Sequence, residues 1–118
     1  MERLQNGEDI AVITDAGMPG ISDPEKTVKM CQEAGITVTA VPGACACVTA
    51  LTISGIGTRR FAFEAFLPTD KKERQAVLNE LKDETRTMVI YEAPHRLVRT
   101  LKTLRETLGN RRISICRE

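Results

Sequence analysis

Apolar positions along the chain fall into two patterns: short β-branched runs, and stretches in which apolar residues recur every three or four positions. Ile10-Ala-Val-Ile-Thr14, Ile36-Thr-Val-Thr-Ala-Val41, Thr87-Met-Val-Ile-Tyr91 and Arg112-Ile-Ser-Ile-Cys-Arg117 predict strands. The first and third have the unbroken apolar character of strands covered on both faces of a sheet. Phe61-Ala-Phe-Glu-Ala-Phe-Leu67 alternates like a strand, with three phenylalanines on or near one face, and Pro68 stops it.

Helical spacing fills the intervals. Ser22 and Glu25 form a capping box for a helix running to Ala34, with Gly35 as its stop. Ala44 to Ser54 is small or apolar on nearly every side, which predicts a buried or tightly packed helix. Asp70, with Glu73 three residues on, caps a polar helix through about Glu84, anchored by Val77, Leu78 and Leu81. From His95 to Leu108 one face carries Leu97, Val98, Leu101, Leu104 and Leu108, and Gly109 ends it.

Five strands alternating with four helices define an α/β chain with right-handed crossovers, and by pattern alone a single flavodoxin-like domain. Ligands of open α/β sheets sit at the carboxyl ends of strands. The loops of interest are therefore 15–24, 42–45, 67–70 and 91–96.

Composition narrows the picture. A length of 118 residues suits one domain, and 42% hydrophobic with 28% charged residues is ordinary for a globular chain. No apolar run approaches the length of a membrane span and the start lacks a signal-peptide h-region, so the chain reads as soluble, intracellular and cytoplasmic. Cys31, Cys45, Cys47 and Cys116 have no zinc-type spacing and His95 is the sole histidine; four reduced, mostly buried thiols and no metal are expected. Net charge is +1, but residues 1–59 hold 4 Lys/Arg against 7 Asp/Glu while residues 60–118 hold 13 against 9. The basic second half permits an anionic partner. Aromatics make up only 3%, which leaves a thin stacking platform for single-stranded nucleic acid.

Three loops carry candidate chemistry. Asp15-Ala-Gly-Met-Pro-Gly-Ile-Ser-Asp-Pro24 allows close backbone approach at Gly17 and Gly20, though it holds neither a P-loop nor a dinucleotide fingerprint. Pro42-Gly-Ala-Cys45 is a second tight turn, leading into small residues against which a flat ligand could lie. Plain strand-to-helix turns explain both loops as well. Glu92-Ala-Pro-His-Arg96 gathers a carboxylate, the only imidazole and a guanidinium at the end of a strand, the groups that position and deprotonate a hydroxyl. A strand break at Pro94 followed by a helix start with a solvated Arg96 accounts for the same residues.

Taken together, Ala11-Val-Ile-Thr-Asp-Ala-Gly-Met-Pro-Gly-Ile-Ser-Asp-Pro24, Val41-Pro-Gly43, Phe63-Glu-Ala-Phe-Leu-Pro68 and Tyr91-Glu-Ala-Pro-His-Arg96 resemble the tetrapyrrole methylase superfamily. Within it they are similar to the branch that acts on ribosomal RNA rather than to the cobalamin and siroheme methylases. The resemblance covers the whole chain and implies an S-adenosylmethionine-dependent methyltransferase acting on the ribose 2′-hydroxyl of a cytidine in small-subunit ribosomal RNA.

It also implies a cofactor site made by Asp15, Ala16, Gly17, Met18 and Ile21, by Pro42, Gly43, Cys45 and Ala46, and by Glu92. His95, Glu92 and Arg96 are the catalytic candidates on chemical grounds. Arg96, Arg99, Lys102, Arg111 and Arg112 are candidates for RNA phosphates. Met18 stands where the family usually has Thr, Ala65 where it usually has Gly, and Cys45 where Pro or Ser is common. Family members begin with a Gly-rich strand and loop ahead of the equivalent of Ile10 and continue beyond that of Glu118. The chain is thus expected to be a central excerpt, with residues 1–41 closing one α/β domain and 42–118 opening the next.

Two other readings remain: a methylase for a tetrapyrrole or another small molecule, and an inactive excerpt of such an enzyme. Strands 10–14 and 36–41 would leave an unpaired edge, so self-association as a homodimer is expected.

Overall fold

The computed structural model describes residues 1–21 and 25–117. The chain divides into two compact units, Met1–Ala46 and Cys47–Glu118.

In the first unit, a single turn of helix, α1 (Glu2–Gln5), is followed by an ion pair from Arg3 to Glu8 at 2.6 Å. Helix α2 (Glu25–Glu33) takes the place of the expected helix, while the capping box at Ser22 and Glu25 lies outside the described residues. Its end closes as the glycine predicts. Gly35 adopts φ +68°, its N–H donates to Gln32 at 3.1 Å, and the Ile36 N–H donates to Cys31 at 2.9 Å. That paired arrangement satisfies the last carbonyls of the helix. Cys31 is buried beneath it.

The second unit is built around one βαβ motif. Strand β1 (Phe61–Phe66) and strand β2 (Thr87–Tyr91) pair in parallel, connected by helix α4 (Lys71–Leu81). Asp70 caps α4 as expected: its carboxylate accepts from the N–H groups of Lys72 and Glu73, both at 2.9 Å. Leu67, Leu78 and Leu81 form the buried centre, with Val77, Met88, Ile90, Leu104 and Leu108 packed against it. A 3-10 turn, Pro94–Arg96, leads into α5 (Leu97–Leu108), so the expected helix at 95–108 begins with a tighter turn set by Pro94. Of the apolar stripe on α5, Leu104 and Leu108 pack against the leucine core, while Val98 is exposed.

β1 contains an irregularity that decides which face its rings occupy. Phe63 pairs with Val89 and Ala65 with Ile90, so Glu64 is an extra residue in the strand and Ala65 adopts φ +49°. Side chains alternate along a strand, and without the bulge Phe63 and Phe66 would point to opposite faces. With it both rings meet Tyr91 edge-on, at centroid separations of 5.1 and 5.6 Å.

Several expectations need correction. Among the described residues, 10–14, 36–41 and 112–117 form no strand, and the sheet has two strands rather than five. A strand exists through ladder hydrogen bonds to a neighbour. These runs find none here, and Ile13 and Val41 remain almost fully exposed (88% and 87%). Helix α3 (Ala46–Ile53) is covered along one stripe only: Cys47 and Leu51, one turn apart, are buried, whereas Val48 and Ile53 are exposed. None of the four cysteines is in a disulfide, but only Cys31 and Cys47 are buried. The mixed α/β class stands despite the smaller sheet.

Candidate functional site

The two loops expected to hold a cofactor meet in the first unit. The Met18 N–H donates to the Ala44 carbonyl oxygen at 3.0 Å, tying loop 15–21 to the turn at 42–45. Gly17 makes this possible in two ways. Its φ of +72° is one that a side chain disfavours, and a Cβ there would collide with the Ala44 carbonyl oxygen. Gly43 faces back: a Cβ on it would come within 3.4 Å of the Met18 side chain. Asp15, Ala16, Gly17, Met18, Ile21, Pro42, Gly43 and Ala46 are exposed and Cys45 is half-buried, so the paired loops present a surface of small residues with one carboxylate.

Glu92 belongs to the second unit. β2 delivers it at its carboxyl end, where its side chain is almost fully covered at 10% exposure. One carboxylate oxygen accepts from the Ala93 N–H at 2.7 Å and lies 3.0 Å from Arg96 Nε; the other accepts from Thr100 Oγ1 at 2.6 Å. Burial pushes the carboxyl up, but the Thr100 and Ala93 hydrogen bonds and the Arg96 charge together hold it below the usual carboxylate range. Arg96 Nε is itself buried and not aimed for a hydrogen bond at the carboxylate it accompanies, so the pair is an electrostatic contact. With both oxygens engaged, Glu92 straps the end of β2 to the first turn of α5 and fixes the approach of Arg96.

The structure thus brings together Glu92 and Arg96 of the catalytic candidates. His95 stands apart, exposed in the 3-10 turn, with no hydrogen bond or ion pair among the described residues. Its imidazole does not cap α5, whose start carries no side-chain cap bond.

Beside this strap, at the carboxyl ends of β1 and β2, lies a cavity of about 150 Å³. Its walls include Leu67 and Pro68 from the end of β1, Lys71 and Arg74 from α4, and Glu92, Arg96, Arg99 and Thr100. Four cations and one anion share it. Arg74 is posed by hydrogen bonds to the carbonyl oxygens of Pro68 and Thr69, at 3.3 and 3.2 Å. Of the phosphate candidates named from sequence, Arg96 and Arg99 line this cavity. Arg111 instead donates to the Leu108 carbonyl at 3.1 Å, and Arg112 lies near Gly55. Lys71, Arg74 and Thr100 were not anticipated. The signal that could have found the two cations is their position in the helix turn directly after the Leu67-Pro68 strand end, where ligands of α/β sheets gather.

A family comparison gives the class: the model for Tetrapyrrole (Corrin/Porphyrin) Methylases matches residues 1–118, and the chain belongs to this family. Particular relatives are similar along its whole span. Ribosomal RNA small subunit methyltransferase I of Synechocystis sp. is 48% identical over 100% of this chain and 43% of its own length. The proteins of that name from Pasteurella multocida and Pseudomonas aeruginosa are 50% and 46% identical, over 95% and 98% of this chain and 40% and 41% of theirs. The chain therefore spans about two fifths of the relatives it matches. Among the described residues no helix is long and apolar enough to cross a membrane, and no group of His, Cys, Asp and Glu could hold a metal ion.

Proposed function

We propose that this chain is part of an S-adenosylmethionine-dependent methyltransferase that acts on the ribose 2′-hydroxyl of a cytidine in small-subunit ribosomal RNA. The observation that carries the reading is the junction of Gly17 and Met18 with the Gly43-Ala44 turn, a close backbone approach that only glycine permits. Relatives named for methylation of small-subunit ribosomal RNA support the choice of substrate over a tetrapyrrole.

The residues present fit the cofactor. At Gly17 and Ala44 two backbone turns meet with no side chain between them, an exposed backbone surface that suits a flat group, and Asp15 on the same loop supplies an exposed carboxylate for a cationic ligand. S-adenosylmethionine, when bound, supplies a methyl group on a positively charged sulfur. Asp15, Ala16, Gly17, Met18 and Ile21, with Pro42, Gly43, Cys45 and Ala46, are the residues of this chain that hold it; Glu92, assigned to the same site by resemblance, acts through its strap on Arg96. Transfer to a hydroxyl oxygen releases one proton, and His95, whose imidazole has no competing partner among the described residues, accepts it. Alignment of the two reacting centres supplies much of the acceleration.

Residues 1–41 are read as closing one α/β domain and residues 42–118 as opening the next; the division of the chain into units near residue 46 supports this. The working protein is read as a cytoplasmic homodimer.

The test is methyl transfer from labelled S-adenosylmethionine by the full-length protein to small-subunit ribosomal RNA, followed by nuclease digestion and mass spectrometry. The expected product is a 2′-O-methylcytidine. Label on a base, or on a tetrapyrrole with none on RNA, overturns the reading.

A further inference from the structure

The cavity at the carboxyl ends of β1 and β2 carries more charge than its place in the fold requires. Lys71 and Arg74 reach it from the first turn of α4, and Arg96 and Arg99 from the start of α5. Its one acid, Glu92, has both carboxylate oxygens taken by Ala93, Thr100 and Arg96, so it offsets a single cation and offers nothing to a positively charged ligand. Among the described residues Lys71 and Arg99 have neither an ion pair nor a side-chain hydrogen bond, and Arg74 is oriented by neutral carbonyls that leave its charge intact. These like charges line one small cavity, and an anion seated among them would be attracted by each.

We propose that this cavity is an anion site that takes a backbone phosphate of the RNA strand being modified, gripped by Lys71, Arg74 and Arg99 and oriented by Arg96. The RNA part of the proposal rests on the function inferred above; the anion part does not. A phosphodiester bears one negative charge and two free oxygens, which suits the forked donors of arginine. The site is built on the ends of two hydrogen-bonded strands, so it would hold the phosphate at a fixed place on this unit.

The experiment uses the full-length protein in two arms. In the first, inorganic phosphate is added to protein with 15N-labelled arginine, and the side-chain Nε signals of Arg74, Arg96 and Arg99 are followed. Saturable shifts in the wild type that vanish in the Lys71→Gln/Arg99→Gln double variant are expected; signals that do not move overturn the anion site. In the second arm, affinity for small-subunit RNA is measured against salt. Each single variant, Lys71→Gln or Arg99→Gln, should flatten the slope of log affinity on log salt by about 0.7–0.9, while Lys82→Gln at the far end of α4 leaves it unchanged. S-adenosylmethionine affinity should be the same in all variants, which also shows that they are folded. Phosphate shifts with an unchanged salt slope overturn the assignment to RNA and leave a site for free anions. Failure of the wild type to methylate RNA strikes the proposed substrate alone, because the phosphate titration does not depend on it.

Discussion

At the scale of single residues, backbone geometry explains two positions that side-chain chemistry leaves blank. Ala65 occupies the bulge of β1 at φ +49°, and the family's usual glycine is the residue such an angle favours. Left-handed geometry costs a residue with a Cβ about 1–2 kcal/mol, of which the larger chain entropy of glycine takes back about 0.5–1. Ala65→Gly is therefore expected to raise stability modestly in chemical denaturation, and a loss of stability would count against the bulge. Gly17→Ala meets both the φ of +72° and the Ala44 carbonyl, so it should part loop 15–21 from the 42–45 turn and weaken S-adenosylmethionine binding in calorimetry, with the melting transition preserved. His95→Ala should lower single-turnover methylation by about 10²–10⁴-fold with unchanged cofactor affinity, the usual size of a general-base contribution. A wild-type rate in that variant removes His95 from the mechanism.

At the scale of elements, stability follows caps and straps. Asp70→Ala deprives α4 of its cap and should lower the melting temperature modestly, while Leu78→Ala, at the most buried of the described positions, opens a cavity and should cost about 2–5 kcal/mol. Among the described residues three carboxylates stand below their usual range. The backbone N–H of Glu73 is the main cause at Asp70. Hydrogen bonds from Arg86 lower Glu84 to about 2. At Glu92, Thr100, Ala93 and Arg96 outweigh burial. A depressed folded pKa stabilises fully above the unfolded value of about 4 and loses that contribution as pH falls through the folded value. Thermal melts should therefore be flat near neutrality and decline from about pH 4 toward 2, and Glu84→Gln should flatten the lower end of that decline. Helices α4 and α5 were legible in the sequence because their signals are local: a cap at Asp70, leucines three and four apart, and glycine at the end. Runs 10–14, 36–41 and 112–117 carry the same β-branched signature as 87–91, yet only the last has a partner, in Phe61–Phe66. Propensity writes a strand's preference, but pairing is decided by residues far away in the chain.

At the scale of the molecule, the candidate site divides the same way. Motif loops 15–21, 42–45 and 91–96 were visible as interruptions of the apolar pattern. The contact of Met18 with Ala44 joins residues 26 apart, and the cations of the cavity come from two helices, so neither could be read from spacing. The three apolar runs that form no strand among the described residues also bear on assembly. An exposed backbone edge beside exposed Ile13 and Val41 is a template for another chain, so the isolated 118-residue chain is expected to sediment above its monomer mass of 13.0 kDa at micromolar concentration. A clean monomer there would show that these runs are content without a neighbour.

The ring cluster made by the bulge has a practical consequence. The chain has one tyrosine and no tryptophan, so emission excited in the tyrosine absorption band comes from Tyr91. That ring is wedged against Phe63 and Phe66 and sits one residue before Glu92, which lines the basic cavity. Any ligand that moves the strap between Glu92 and Thr100 will alter the surroundings of this fluorophore, and the isolated chain carries its own optical reporter with no label attached.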